Sequence, residues 1–167
     1  MPVRVAQTIQ IHEDAILKGW MAYQSSDATL RRDLIKETEL LDQSRQFLRC
    51  FARALEHEKM DTEDPSWKPV EDLLTAIAKS RALQGFTPSE TATFVFSLKQ
   101  PLFDLLQAKL TDAKELVQEI WNLTVLLDKL GLYVTEAHQL VREEIVSRQQ
   151  QELLELSTPV VQLFDNI

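Results

Sequence analysis

The sequence predicts an all-α fold, a bundle of about five to six helices that ends in a long C-terminal helix. Two observations predict it. Apolar residues recur at helical spacing along nearly the whole chain, and only 3 of the 167 residues are glycine. Strand-rich folds and phosphate-binding loops use glycine for tight turns and close backbone approach, so this composition disfavours both. An apolar share of 44% with 26% charged residues fits one globular domain.

Charge and cysteine content exclude several classes of protein. The net charge is −8 and the pI is about 4.9, so the chain lacks the basic surface that binds nucleic acid or anionic lipid. No segment approaches the roughly 18 apolar residues of a membrane span. The single cysteine, Cys50, cannot form an internal disulfide, and the first residues do not form a secretory signal. We therefore expect a cytoplasmic protein that binds neither nucleic acid nor membrane.

The first half of the chain predicts two helices that each bury one face. Four apolar residues share a face of the first helix: Ile9, Ile16, Trp20 and Tyr23. Ser25, Ser26 and Asp27 offer caps for a second helix over residues 28–58. A leucine at every seventh position, 34, 41, 48 and 55, marks the buried face of that helix. Pro65 and Pro69 then interrupt the helical pattern, because proline removes backbone donors.

The strongest start signal in the sequence precedes the predicted central helix. A shorter helix ends near Gly85, which suits a left-handed C-cap, and Thr87 and Glu90 then form a capping box around Pro88. The helix that begins there, over residues 88–110, is apolar around more than half of its circumference. It is therefore the predicted centre of the core, and Pro101 predicts a kink or short break inside it.

The last third of the chain predicts two more helices and a strand. The first of these helices ends at Gly131. The second, over residues 135–156, carries too thin an apolar stripe for a core helix, so we expect it to project from the bundle and meet a partner. After Pro159 the residues VVQLF resemble a first strand without a second one to pair with, which suggests a truncated chain.

Three segments of the sequence resemble one known family. They are GFTPSETATFVFSLKQPLF at 85–103, LDKLGLYVTEAH at 127–138 and REEIVSRQQQELLELSTPVVQLFDNI at 142–167. Together they resemble the RsbRD-like N-terminal domain of RsbR-type proteins, the RsbT co-antagonists of the bacterial stressosome. The closing ELSTPVVQLFDNI is similar to the junction with a STAS domain. The resemblance implies a helical sensory domain at 1–134, a signalling linker helix at 135–158 and the start of a missing STAS domain at 159–167.

The resemblance also implies a function and partners. It implies a globin-like, homodimeric, non-enzymatic domain that relays stress signals through the linker helix to a C-terminal STAS domain. That domain would meet a STAS scaffold protein and control a switch kinase, which in turn regulates a sigma factor. The phosphorylated threonines of the family lie in the missing domain, so no phosphorylation site is carried over. On the linker helix we expect Arg142, Ile145, Arg148 and Gln149 to form the dimer interface.

One lysine is the candidate for ligand binding. By helical angle Lys99 falls inside the apolar arc of the central helix, near Phe96 and Phe103. Its stem can pack against these residues while its ammonium group reaches water. Alternatively, Lys99 is a pocket cation that meets an acidic ligand with Phe96 and Phe103 beside it.

The three histidines leave two other functions open. His12, His57 and His138 show no spacing typical of a metal site, so we expect no metal. His12 or His138 is a candidate haem ligand if the chain is a globin-like carrier or sensor of haem or a small ligand, although fold alone establishes no cofactor. A phosphotransfer domain would need an exposed reactive histidine on a core helix, and nothing singles one out. No nucleophile stands at a readable spacing from a base, so we expect no enzyme and no cofactor.

Overall fold

The computed structural model describes residues 2–26, 32–57 and 61–165. In these ranges the chain forms seven α-helices and one 3-10 helix, with no strand. The α-helices are α1 (Pro2–Ile11), α2 (Glu13–Ser26), α3 (Glu37–Leu55), α4 (Lys68–Gln84), α5 (Pro88–Phe96), α6 (Lys99–Lys109) and α7 (Ala113–Asp165), and the 3-10 helix is Pro65–Trp67. The predicted all-α bundle with a long C-terminal helix is confirmed.

The core is one continuous apolar cluster with aromatic rings at its centre. The Trp20 ring lies 5.0 Å from Phe94 and 5.9 Å from Phe47, between centroids. Trp20 is fully buried, and its indole nitrogen donates to Ser97 Oγ at 2.8 Å, which satisfies its one polar group. Helix α3 packs against α1, α2 and α4, while α7 packs against α4, α5 and α6. The rings therefore fill the space between the two halves of the bundle.

The predicted central helix is two helices, α5 and α6, separated at Ser97 and Leu98. The break lies before Pro101, which sits in the first turn of α6, where a backbone amide has no partner inside the helix. Both halves of the predicted capping box are confirmed. The Glu90 amide donates to Thr87 Oγ1 at 3.2 Å, and the Thr87 amide donates to Glu90 Oε1 at 3.0 Å.

Gly85 and Gly131 were both predicted to end a helix, and the structure confirms only Gly85. Gly85 is the predicted left-handed C-cap, with a φ of 96° after α4. Gly131 is not a C-cap, because α7 continues through it without interruption. A Cβ there would lie 2.1 Å from Phe96 Cε1, so the absence of a side chain allows α7 to approach α5 closely. The predicted linker at 135–158 is thus part of one helix that begins at Ala113.

The strand expected after Pro159 is wrong, since α7 includes Pro159 and continues to Asp165. A proline inside a helix removes one intrahelical bond and its ring crowds the preceding turn, so Pro159 is the position at which the projecting part of α7 is expected to bend. Whether residues 159–167 begin a further domain stays a prediction, and 166 and 167 lie outside the described residues.

The N-terminal predictions are confirmed in part. The first predicted helix is two helices that meet at His12. The second predicted helix, α3, begins at Glu37 and ends at Leu55, while positions 27–31 and 58 of the prediction lie outside the described residues. Leu48 and Leu55 are buried as expected, and Leu34 and Leu41 are half-buried.

Candidate functional site

Helix α7 has a buried part and a projecting part, and the change between them is abrupt. Its buried residues begin at Glu119 and end at His138. From position 139 to Asp165 no residue is buried, although Val141 and Ile145 are half-buried. The bundle therefore holds one face of α7 as far as His138 and leaves the rest of the helix exposed.

Three contacts hold the buried part of α7. The Lys99 ammonium on α6 forms an ion pair with Asp128, and it also lies 5.0 Å from the centre of the Phe96 ring. Phe96 in turn packs directly on Gly131. Farther along, the Tyr133 hydroxyl lies 2.9 Å from Thr75 Oγ1 on α4. Helices α4, α5 and α6 thus each fix α7 by a specific side-chain contact.

The last of the buried contacts is made by His138, whose side chain is fully buried. Its Nδ1 lies 2.9 Å from Thr91 Oγ1 on α5, and its Nε2 lies 3.0 Å from the carbonyl oxygen of Phe86. Burial lowers the pKa of His138, and the nearby Arg142 and Arg81 lower it further. The bond to the Phe86 carbonyl raises this pKa, as does Glu90, but the net direction is downward.

A buried cation lies beside this histidine. Arg81 on α4 is 2% exposed and donates to Gln43 Oε1 at 3.1 Å. Its guanidinium carbon lies 5.0 Å from the Phe86 ring centre and 4.7 Å from that of Phe94. Burial lowers the pKa of Arg81 to about 10, and the carboxylate of Glu39 opposes this. The group stays charged at neutral pH, and the two ring faces supply much of its stabilisation.

The exposed side of α7 carries an apolar residue at nearly every seventh position. We call this set the heptad row: Val125, Leu132, Gln139, Val146, Leu153 and Val160. Every member is exposed. Trp121, which is 63% exposed, extends the row toward the start of α7. A seven-residue apolar repeat is typical of a helix that pairs with another helix. The repeat is readable from the sequence, although the interface predicted above includes only residues around Arg142.

The four residues predicted for the dimer interface surround one member of this row. Arg142 and Gln149 lie about one turn before and after Val146, on the same side of the helix. Ile145 is half-buried and lies a quarter turn away, while Arg148 points to the opposite side. Arg142, Arg148 and Gln149 are exposed. Their role in an interface stays a prediction.

The structure brings together two of the three predicted ligand-binding residues. Lys99 lies over Phe96 as described, and its side chain is 26% exposed. The ammonium group already has Asp128 as its counter-ion. Phe103 is half-buried and packs against the core. Binding of an acidic ligand by these residues stays a prediction.

The remaining candidate residues lie apart from each other. His12 is half-buried at the junction of α1 and α2, and His57 is exposed just after α3. Cys50 is a half-buried free thiol on α3. Among the described residues, no group of three or more histidine, cysteine, aspartate or glutamate side chains could hold a metal ion. None of the described helices has the length and apolar character needed to cross a membrane.

The fold and the position of α7 define a class of protein. It is a helical bundle that packs against one face of its C-terminal helix and leaves the rest of that helix exposed. The chain belongs to the family of the RsbT co-antagonist protein rsbRD N-terminal domain, whose model matches residues 14–153. The match includes the bundle from α2 onward and α7 beyond His138. This is a family of regulatory sensor domains and not of enzymes. No curated protein matches the chain.

Proposed function

We propose that the chain is the signal-input domain of an RsbR-type stressosome protein that acts in the cytoplasm. It senses a condition or ligand in the bundle and relays the change along α7 to a C-terminal STAS domain. That domain, with a STAS scaffold protein, controls a switch kinase. One observation supports the relay most directly: α7 is held by the bundle up to His138 and exposed from there to Asp165. A shift in the bundle therefore reaches a part of α7 that the bundle itself does not bury.

The proposed partner of the exposed side of α7 is a second copy of this chain. The heptad row continues from Val125 in the bundle to Val160 near the end of the helix. A strict seven-residue repeat winds two helices into a left-handed pair, because 3.5 residues per turn keeps the same side facing the partner. The row includes the polar Gln139, and Arg142 and Gln149 border it. Polar residues in such a seam lower stability and specify register.

Two adjacent leucines provide a matched test of the dimer. Leu153 and Leu154 are 66% and 67% exposed, but only Leu153 belongs to the heptad row. We expect light scattering to give a dimer mass for the chain. Leu153→Glu should raise the dissociation constant at least about tenfold, and Leu154→Glu should leave it nearly unchanged. A monomer mass at high micromolar concentration, or equal effects of both substitutions, would contradict the proposed interface.

The first test of the relay to a STAS domain is the mass of the native gene product. An immunoblot of the native gene product in its own cells compares its denatured mass with the 19.2 kDa of this chain. A band larger by about one small domain of 100–150 residues supports a downstream output domain. A band at 19.2 kDa contradicts the relay and favours the alternative, a carrier or sensor of haem or a small ligand.

The proposal includes no cofactor, and the contacts of His138 support this. Both of its ring nitrogens are engaged within the bundle, so neither is free to bind iron in this arrangement. The absorption spectrum of the purified protein tests the alternative. A haem band that disappears in His12→Ala would favour the carrier function over the signal-input function.

A further inference from the structure

His138 lies where α7 leaves the bundle. Its imidazole is fully buried, and it is the last buried residue of the helix. It therefore makes the last fully buried contact between the bundle and α7, at the base of the projecting part. Any change in this contact acts at the base of that projecting part.

The hydrogen bonds of the ring place one proton, and the surroundings favour leaving the other nitrogen without one. The Phe86 carbonyl oxygen can only accept, so the His138 Nε2 at 3.0 Å carries a proton. In the neutral ring Nδ1, at 2.9 Å from Thr91 Oγ1, accepts the hydroxyl proton of Thr91. A second ring proton makes Nδ1 a donor, and the Thr91 hydroxyl must then turn to accept from it. Complete burial of the ring, and not its hydrogen-bond partners, therefore favours the neutral imidazole.

Charged groups from each helix around the ring act on its charge. Arg81 on α4 and Arg142 on α7 disfavour a positive imidazole, and Glu90 on α5 favours one. Burial is the largest influence, and it also disfavours the positive form. The ring is thus neutral in the docked arrangement at neutral pH.

We propose that His138 is a proton-operated latch on α7. In the neutral state it ties α7 to the turn between α4 and α5. When protonated it gives up its buried position and frees the base of the projecting helix to move. The condition sensed through this contact is therefore acidification. This inference rests on the proposed function, because the latch has an output only if α7 carries a signal.

The partners of His138 connect the latch to the start of α5. Phe86 directly precedes the N-cap Thr87, and Thr91 directly follows Glu90, so the ring spans the capping box. A released imidazole binds a proton near its ordinary pKa of 6.5, whereas the docked ring binds one only at lower pH. Docking is therefore strongest above that value and is lost progressively as the pH falls below it. Release loosens both α7 and the first turn of α5.

The test combines histidine NMR with amide hydrogen exchange on the whole chain between about pH 7.5 and 5. His12 and His57 serve as internal references in the same spectra. We expect the His138 ring to titrate below the ordinary histidine pKa of 6.5. Its protonation should coincide with faster amide hydrogen exchange at residues 86–94 and 134–145. The rates are first corrected for the intrinsic dependence of amide exchange on pH. His138→Gln should remove this pH step, and the control His57→Gln should retain it.

Two charge substitutions keep the test decisive if His138→Gln does not fold. Arg142→Gln removes a cation near the ring and should move the pH step upward. Glu90→Gln removes an anion but retains an oxygen that can accept from the Thr87 amide, and it should move the step downward. Shifts in opposite directions support the latch.

Four outcomes would overturn it: His138 titrates at or above the ordinary histidine pKa of 6.5, exchange does not change on protonation, both charge substitutions shift the step in the same direction, or the ring stays neutral until the whole chain unfolds. None of these outcomes affects the dimer test or the mass of the native product. Conversely, a native product of 19.2 kDa contradicts the proposed relay while the latch remains measurable. The two proposals can therefore fail separately.

Discussion

At Gly131 a single hydrogen atom stands where any other residue would place a carbon against an aromatic ring. The ring is that of Phe96, whose Cζ would lie 2.4 Å from a Cβ at this position. No real contact of this kind is so short, so a larger residue forces Phe96 or α7 to move. The closest approach of α5 to α7 thus depends on one residue.

The change Gly131→Ala tests this contact. We expect a loss of about 1–3 kcal/mol in the free energy of unfolding, because the added methyl group overpacks the α5–α7 interface. Gly19→Ala is the control, since its Cβ would meet only Pro101 Cβ at an ordinary 3.7 Å. At Gly19, inside α2, alanine should be neutral or stabilise by up to about 1 kcal/mol. Urea unfolding measures both, and equal effects would contradict the packing argument.

His138 and Arg81 show why single-residue roles were hard to predict. From the sequence, His138 is a candidate haem ligand, and no protein partner for its ring can be identified. Its actual partners, Thr91 and Phe86, lie 47 and 52 residues away in the chain. Nothing in helical spacing reports contacts of that range. Arg81 was not singled out at all, because a lone arginine on an amphipathic helix is normally a surface residue.

At the scale of the elements, the sequence predicts well the features that depend on neighbouring residues. It predicts poorly those that depend on contacts between residues far apart in the chain. The capping box at Thr87 and the C-cap at Gly85 involve atoms within a few residues, so the sequence contained all of the needed information. Gly131 carried the same local signal for a helix end, but tertiary packing against Phe96 keeps it helical. The segment after Pro159 has strand-forming residues, yet it continues α7. Tertiary packing overrode the local signal at Gly131, whereas the residues after Pro159 continue the helix although those up to Asp165 are exposed.

The ion pair between α6 and α7 gives a second prediction. Lys99→Met should lower the free energy of unfolding by at most about 1 kcal/mol, because the side chains of Lys99 and Asp128 are 26% and 52% exposed. Added salt should shrink the effect in urea unfolding. Lys129→Met, at the exposed neighbour of Asp128, is the control.

The same substitution tests the proposed ligand role of Lys99, Phe96 and Phe103. Native mass spectrometry of the purified chain identifies any retained anionic ligand. If Lys99 meets such a ligand, Lys99→Met should lose it while Lys129→Met retains it. A Lys99→Met protein that keeps every anion found in the parent chain would contradict the ligand role.

At the scale of the whole molecule, charge opposes the proposed dimer. Two copies of a chain with a net charge of −8 repel each other, while the heptad row attracts them. Salt screens the repulsion over a Debye length of about 10 Å at 0.1 M, whereas it leaves apolar burial largely intact. The fold class and the regulatory family were both predicted from the sequence, but the balance of these two forces was not.

Salt should therefore tighten the association. We expect the dissociation constant measured by analytical ultracentrifugation to fall between about 0.05 and 0.5 M NaCl. Arg142→Glu replaces a positive charge with a negative one beside the heptad row and so lowers the net charge of each chain by two, and the salt dependence of its dissociation constant should be steeper. A dissociation constant that rises with salt would show that attraction between opposite charges, and not the apolar row, holds the copies together.

Because α7 is long, a small tilt at its base produces a large displacement at its far end. The helix has 53 residues, and the 27 residues that follow His138, up to Asp165, extend about 40 Å at 1.5 Å per residue. A tilt of about 5° at the base displaces the far end by roughly 3.5 Å over that length. In the proposed relay, the projecting part of α7 thus acts as a lever arm that pivots at the buried ring of His138. Movements too small to disturb the core become displacements, at the tip, as large as the spacing between packed side chains.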